Sequence, residues 1–170
     1  MRLETKRLIL REMTAEDFDG LCGILQDPEV MYAYEHAFSD QEVRDWLTRQ
    51  QRRYREDGFG LLAMIRREDG GFIGQAGLTM QEVRDRRVPE IGYLLRRDCW
   101  EKGYATEAAA ACKEYAFQVL GLPEVWSIIR DTNRASRAVA KRNGMVPEGV
   151  LIKRYWGVDM PHILYRVTKK

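Results

Sequence analysis

The stretch WEKGYATEAAAACKEY, residues 100–115, sets a glycine and a small alanine directly ahead of one of the best helix-forming runs in the chain. Ala108, Ala111, Cys112, Tyr115 and Val119 recur at the spacing of one helix face, and Gly121-Leu122-Pro123 ends the run. A helix start exposes backbone N–H groups that have no internal partner and carries the positive end of the dipole, so it binds phosphate readily. Gly103 lets the chain come close to such a group, and Ala105 keeps a second approach open. Thr106 adds a hydroxyl, and Lys102 and Arg97 add charge. The Walker pattern wants its lysine after the glycines and the dinucleotide fingerprint wants several glycines, whereas Lys102 precedes a single one, so neither fits. Taken alone, a plain helix start without a ligand accounts for these residues equally well.

Outward from that stretch, EIGYLLR, residues 90–96, reads as the preceding strand and VWSIIR, residues 125–130, as the buried strand that follows. Toward the N-terminus, TKRLILR, residues 5–11, reads as a first strand, and Thr14 with Glu16 and Asp17 opens a helix that ends near Asp27-Pro28. Ser39 and Glu42 form a capping box for a second helix. Its Val43, Trp46, Leu47 and Tyr54 share one side, and Arg49, Arg52, Arg53 and Arg55 read as a solvated face, with phosphate binding as the alternative. Residues 58–66 and 72–80 form an antiparallel hairpin around Asp69-Gly70. A basic loop over residues 84–87 leads through Pro89 into the strand at Glu90. Residues 135–143 make a short helix ended by Gly144, and extended segments over 149–155 and 162–167 close the chain.

This order gives an α+β fold: a central, mostly antiparallel sheet of six to seven strands flanked by about four helices, in one domain spanning residues 1–170. The composition, 45% hydrophobic and 32% charged, is that of a soluble globular chain. No apolar run approaches the roughly 18 residues of a membrane span. The opening residues have neither a secretory nor a transit pattern, so a cytoplasmic location is expected. A net charge of +2 provides no general pull toward nucleic acid or anionic membrane. Cys22, Cys99 and Cys112 lie far apart, and His36 and His162 match no ligand spacing, so reduced thiols and no metal are expected.

The opening TKRLILR, the loop WEKGYATEA, the later NRASRAVAKRNGM and the ending EGVLIKRYWGVDMPHILYRV together closely resemble the GNAT superfamily of acetyl-CoA-dependent N-acetyltransferases. Within it they resemble the branch of ribosomal-protein N-terminal (alanine) acetyltransferases. The family's phosphate loop has Gln or Arg, two variable residues, Gly, one variable residue, and Gly or Ala; Gly103 and Ala105 fit it, and Trp100 takes the first position. The resemblance implies acetyl-CoA as cosubstrate, with its pyrophosphate on the N–H groups of Lys102, Gly103, Tyr104, Ala105 and Thr106. Its pantetheine arm would pair with the backbone of Tyr93, Leu94 and Leu95 where two strands splay apart.

Transfer of an acetyl group to an amine needs a base for the amine, stabilisation of the carbonyl oxygen and protonation of the thiolate. The resemblance places a water-relaying carboxylate at Glu90. The tyrosine that many relatives use as acid is replaced by Ala140, and the serine used in the ribosomal-protein branch is matched by Ser136, which as a helix-start hydroxyl also reads as a group satisfying backbone donors. Asn133 would bond the coenzyme arm, or cap the short helix. The carboxylate that the ribosomal-protein branch can place near the last hairpin is absent at Tyr155. Tyr32, Tyr34 and Tyr155, with His36 and Trp156, are candidates for an acceptor pocket, while aromatic packing explains them too. The expected activity is transfer to a primary amine, of a small molecule or a protein N-terminus, by a monomer or homodimer. A module that holds acyl-CoA without turnover is the alternative.

Overall fold

A computed structural model describes residues 1–34 and 36–170. Eight strands form one sheet: β1 (Arg2–Glu4), β2 (Leu8–Arg11), β3 (Leu61–Arg66), β4 (Phe72–Val83), β5 (Arg86–Leu95), β6 (Glu124–Arg130), β7 (Val146–Tyr155) and β8 (Val158–Thr168). They lie in the order β1-β2-β3-β4-β5-β6-β8-β7. Every neighbouring pair is antiparallel except β5 and β6. Among the described residues the α-helices are α1 (Phe18–Leu25), α2 (Asp40–Glu56), α3 (Tyr104–Gln118) and α4 (Arg134–Arg142).

Alternation along the central strands divides their side chains between two cores. Leu62, Met64, Ala76, Leu78 and Ile91 pack under α3 with Ala108, Cys112 and Ala116. On the opposite face Leu61, Ala63 and Leu94 pack with Leu21, Leu25, Val43 and Trp46 of α1 and α2. The Ser39–Glu42 capping box is formed and opens α2 as expected. Among the described residues, no helix is long and apolar enough to cross a membrane.

Several boundaries differ from the sequence reading, the first helix among them: Ala15–Asp17 is a 3₁₀ turn and α1 begins at Phe18. The expected first strand over residues 5–11 is a turn followed by β2: the Thr5 N–H donates to the Leu8 carbonyl at 2.9 Å, which folds Arg2–Glu4 back as the additional edge strand. The basic loop over residues 84–87 is a tight hairpin, Arg84 and Asp85 adopting φ of 44° and 57°, so β5 begins at Arg86. Pro89 is tolerated inside β5 because alternation turns its missing donor away from β4, the strand that pairs along its whole length. The last hairpin is longer than expected, with a register shift between Pro147 and Gly149.

Candidate active site

Strands β5 and β6 are joined by one bridge, Glu90 to Trp126, and then diverge. The Ser127 hydroxyl donates to the Ile91 carbonyl at 2.9 Å and closes the fork. Because backbone direction alternates along a strand, the N–H and C=O of Tyr93 face the same side as that carbonyl, into the widening gap. Leu95 faces it too, with its carbonyl taken by the Trp100 indole N–H at 3.1 Å. Leu94 turns its backbone groups toward β4, where it pairs with Gln75. Of the three residues expected to hold an extended ligand, Tyr93 therefore presents a free backbone edge, Leu95 a partial one and Leu94 none.

At the mouth of the gap α3 begins without a cap. Gly103 has φ of 81° and ψ of 5°, the left-handed conformation that glycine adopts at little cost. It has no side chain with which to satisfy the first N–H groups, in contrast to Ser39 before α2 and Asn133 before α4, both of which accept from their helices. The first helical bond of α3 is Glu107 N–H to the Gly103 carbonyl at 3.1 Å, so the N–H groups of Tyr104, Ala105 and Thr106 precede the ladder. Tyr104 is buried and Thr106 half-buried.

The charges around this start differ from expectation. Arg97 is held by Asp27 at 3.3 Å and Glu29 at 2.9 Å, and Lys102 Nζ donates to the Asp98 carbonyl at 2.9 Å. The guanidinium at the helix start belongs to Arg7, more than ninety residues away in the chain. It donates to the Lys102 carbonyl at 2.8 Å through Nη1 and to Glu107 Oε2 at 2.7 Å through Nε, and lies 4.4 Å from the centroid of the Tyr104 ring. Its Nη2 would be 3.3 Å from a Cβ placed on Gly103. Glu107 Oε1 also accepts from the Thr5 hydroxyl at 2.6 Å and the Arg7 N–H at 2.8 Å. Thr5, Arg7 and Glu107 thus tie the β1–β2 turn to α3, and the acid that would repel an anion at the helix start is neutralised.

A cavity of about 420 Å³ runs through the fork to the underside of α2. Glu90, Tyr93, Asn133, Ser136, Tyr34, Tyr155 and His162 all contribute to its wall. Tyr32 lies outside this wall, with the Arg130 guanidinium 5.4 Å from its ring centroid, and Trp156 stands exposed at the tip of the last hairpin. Glu90 is half-buried. Loss of hydration pushes its carboxyl up to about 7, against the opposing pull of Lys153, the Ile128 N–H and Arg53. His162, 5% exposed, holds the Met160 carbonyl at 2.9 Å through Nδ1, which assigns the proton to Nδ1; burial lowers its pKa and keeps the ring neutral. Only the alternation of a strand positions His162 here, and the sequence carries no local signal for it.

Asn133 and Ser136 meet at the start of α4. Asn133 Oδ1 accepts from the Ser136 N–H at 3.1 Å, so Asn133 is the cap, and the Ser136 carbonyl accepts from the Tyr93 hydroxyl at 2.8 Å. The Ser136 hydroxyl is therefore not the group that ends the helix. Replacing Ser136 by Ala is expected to leave the melting temperature within the small range of a surface change, while Asn133→Ala costs about 1 kcal/mol. If Ser136 is the acid that the family resemblance implies, the same Ser136→Ala protein loses about 10-fold to 10²-fold in single-turnover acetyl transfer, a modest loss because a thiol of pKa about 8.5 can depart without full protonation. A normal single-turnover rate would leave water or the Tyr155 hydroxyl as proton donor.

The GNAT acetyltransferase domain model matches residues 7–146. The chain is 33% identical over 151 residues to the uncharacterized N-acetyltransferase p20 of Bacillus licheniformis, covering 88% of this chain and 84% of that one. An acetyltransferase from Agrobacterium tumefaciens superposes with a TM-score of 0.83 at 28% identity, covering 99% of this chain and 95% of that one. RimL, a ribosomal alpha-N-protein acetyltransferase in complex with coenzyme A, shares the fold with a TM-score of 0.77 at 17% identity, over 99% of this chain and 98% of that one. The forked sheet, the uncapped glycine start of α3 and these matches together establish that the chain belongs to the GNAT family of acetyltransferases.

Proposed function

We propose that the chain, as one domain over residues 1–170, transfers the acetyl group of acetyl-CoA directly to a primary amine, of a small molecule or a protein N-terminus. The observation that carries this reading is the half-buried Glu90 at the fork, with a carboxyl held near neutrality in a cavity that the free edge of β5 also enters. The residues present suit the coenzyme: uncapped N–H groups at Tyr104, Ala105 and Thr106 with Arg7 beside them suit the pyrophosphate, and the Tyr93 backbone suits the amide-bearing arm. Bound acetyl-CoA supplies the activated acyl group.

Glu90 removes a proton from the acceptor ammonium, directly or through a water, and its pKa near 7 leaves it ionised often enough at neutral pH to do so. The freed nitrogen forms the C–N bond as the C–S bond breaks, and it loses its second proton to water. The Tyr93 N–H offers a donor to the carbonyl oxygen that gains charge. Ser136 passes a proton to the departing sulfur and regains one from solvent, so the net products are an amide and a free thiol. Neutral His162 is a second group in reach of the cavity with a nitrogen lone pair. Glu90 is favoured as base because its pKa lies nearer the working pH.

The test is thiol release from acetyl-CoA in the presence of a panel of small amines and peptide N-termini, with mass detection of the acetylated product. Release that depends on the amine supports the reading. Tight CoA binding with no acetylated product across the panel would instead favour a module that holds acyl-CoA without turnover.

A further inference from the structure

The part of the cavity beneath α2 gathers several hydrogen-bond donors alongside apolar Val30, Phe38 and Leu61. Arg49 and Arg53, one turn apart on α2, and Lys153 on β7 all contribute to its wall, and Glu90 is its one carboxylate among the described residues. The sequence reading placed both arginines on a solvated face. Instead Arg53 and the still exposed Arg49 contribute to the cavity wall, which Arg52 and Arg55 do not. Arg53 is half-buried; desolvation and then the like charge of Arg49 disfavour its guanidinium. Arg11, Arg66, Arg96 and Arg97 all have carboxylate partners. Among the described residues, Arg49, Arg53 and Lys153 form no such ion pair.

An independent observation points the same way. Gln75, fully buried on β4, lines the same cavity. The Trp46 indole N–H, which can only donate, meets Gln75 Oε1 at 2.9 Å, so the orientation of the amide is fixed and its Nε2 end is left without a partner. Arg53 donates to Gln50 Oε1 at 3.3 Å but has no carboxylate partner, and a buried unpaired donor sharing a cavity with cations that lack a counter-ion suits an oxygen-rich anion. There is space for one: a Cβ added at Gly92 would touch only Leu61, at 3.6 Å. The cavity volume of about 420 Å³ is that of a small-molecule site.

We propose that the acceptor is a small primary amine that itself carries a carboxylate or phosphate, the anionic group being received by Arg49, Arg53 and the Gln75 amide while the nitrogen faces Glu90. The inference rests on the acetyl-transfer reading of the same cavity. It gives the donors a partner and places opposite charges on the two ends of the acceptor: the ammonium at the one carboxylate, the anion at the cations.

The experiment compares matched pairs as acceptors for the intact protein with acetyl-CoA: α-amino acids against their carboxamides, and phosphoethanolamine against ethanolamine. The carboxylate and phosphate arms separate the two sources of anion. An acidic peptide with a free N-terminus serves as a third arm. At least one anionic small amine is expected to exceed its neutral partner by about 10-fold or more in kcat/KM, the size of a charge-assisted hydrogen bond. Arg49→Gln with Arg53→Gln should erase that preference, mainly by raising KM, with coenzyme A affinity unchanged; Arg52→Gln on the exposed face should alter neither. Because the double variant can perturb α2, Gln75→Glu, which places a carboxylate where the anion would sit, provides a second route to the same loss. Equal or better use of the neutral amines, a preference confined to the peptide, or a preference that survives both variants would overturn the proposal while leaving acetyl transfer intact. The same amines are titrated as ligands of the coenzyme A-saturated protein by thermal shift. Absence of both turnover and a shift for every anionic small amine also overturns it. Failure to bind coenzyme A at all would remove the underlying reading instead.

Discussion

Replacing Glu90 by Gln is expected to lower kcat by about 10²-fold or more with coenzyme A affinity near that of the wild type, because the change keeps the size of the side chain and removes only its ability to take a proton. The wild-type kcat/KM should rise with pH through about 7, where the carboxyl ionises, and the variant should lack that limb. The stability effect has the opposite sign. Folding raises the Glu90 pKa from 4.5 to about 7, so this group's contribution to stability is fully present below the unfolded value and is lost as pH rises through the folded one. At pH 8, Glu90→Gln should therefore melt at a higher temperature than the wild type while catalysing more slowly. Loss of activity with a lower melting temperature would mean a damaged fold, and an unchanged pH limb would move the base to His162.

Gly103→Val should weaken coenzyme A binding by about 10²-fold, since a branched side chain at the helix start crowds the N–H groups that would meet the pyrophosphate. The fold must lose stability as well: φ of 81° is a conformation in which a non-glycine residue costs about 1–3 kcal/mol. Gly103→Ala separates the two effects. Its single methyl meets only Arg7 Nη2, at 3.3 Å, so it carries most of the backbone strain with little intrusion. Calorimetry well below the melting temperature should show near-wild-type affinity for Gly103→Ala and a large loss for Gly103→Val. Equal affinities for the two variants would reduce Gly103 to a structural role.

The α3 start was legible because its signals are local: a glycine, a small residue and a helix-forming run within a few positions. The capping box at Ser39 was legible for the same reason. Where partners are distant, the sequence is silent. Residues 5–11 look like one extended strand until Glu107, a hundred positions on, captures Thr5 and Arg7 and stabilises the turn between them. Arg97 lies beside the loop in sequence, yet the segment after α1 supplies Asp27 and Glu29 to hold it, and Arg7 arrives from the other side. Helical periodicity separates the buried face of α2 from its polar faces, but does not say which polar flank overhangs a cavity. That is why Arg49 and Arg53 read like Arg52 and Arg55. Asn133 and Ser136 were each legible as either ligand group or cap, and the hydrogen bond from the Ser136 N–H to Asn133 divides those roles.

The proposed role of the forked sheet and the uncapped helix is to hold coenzyme A, and thermal unfolding with added ligand tests it most directly. At 100 times its dissociation constant, coenzyme A or acetyl-CoA should stabilise the protein by about 2.7 kcal/mol, and ATP at the same concentration should have no comparable effect. A melting temperature indifferent to coenzyme A and raised by ATP would contradict the account.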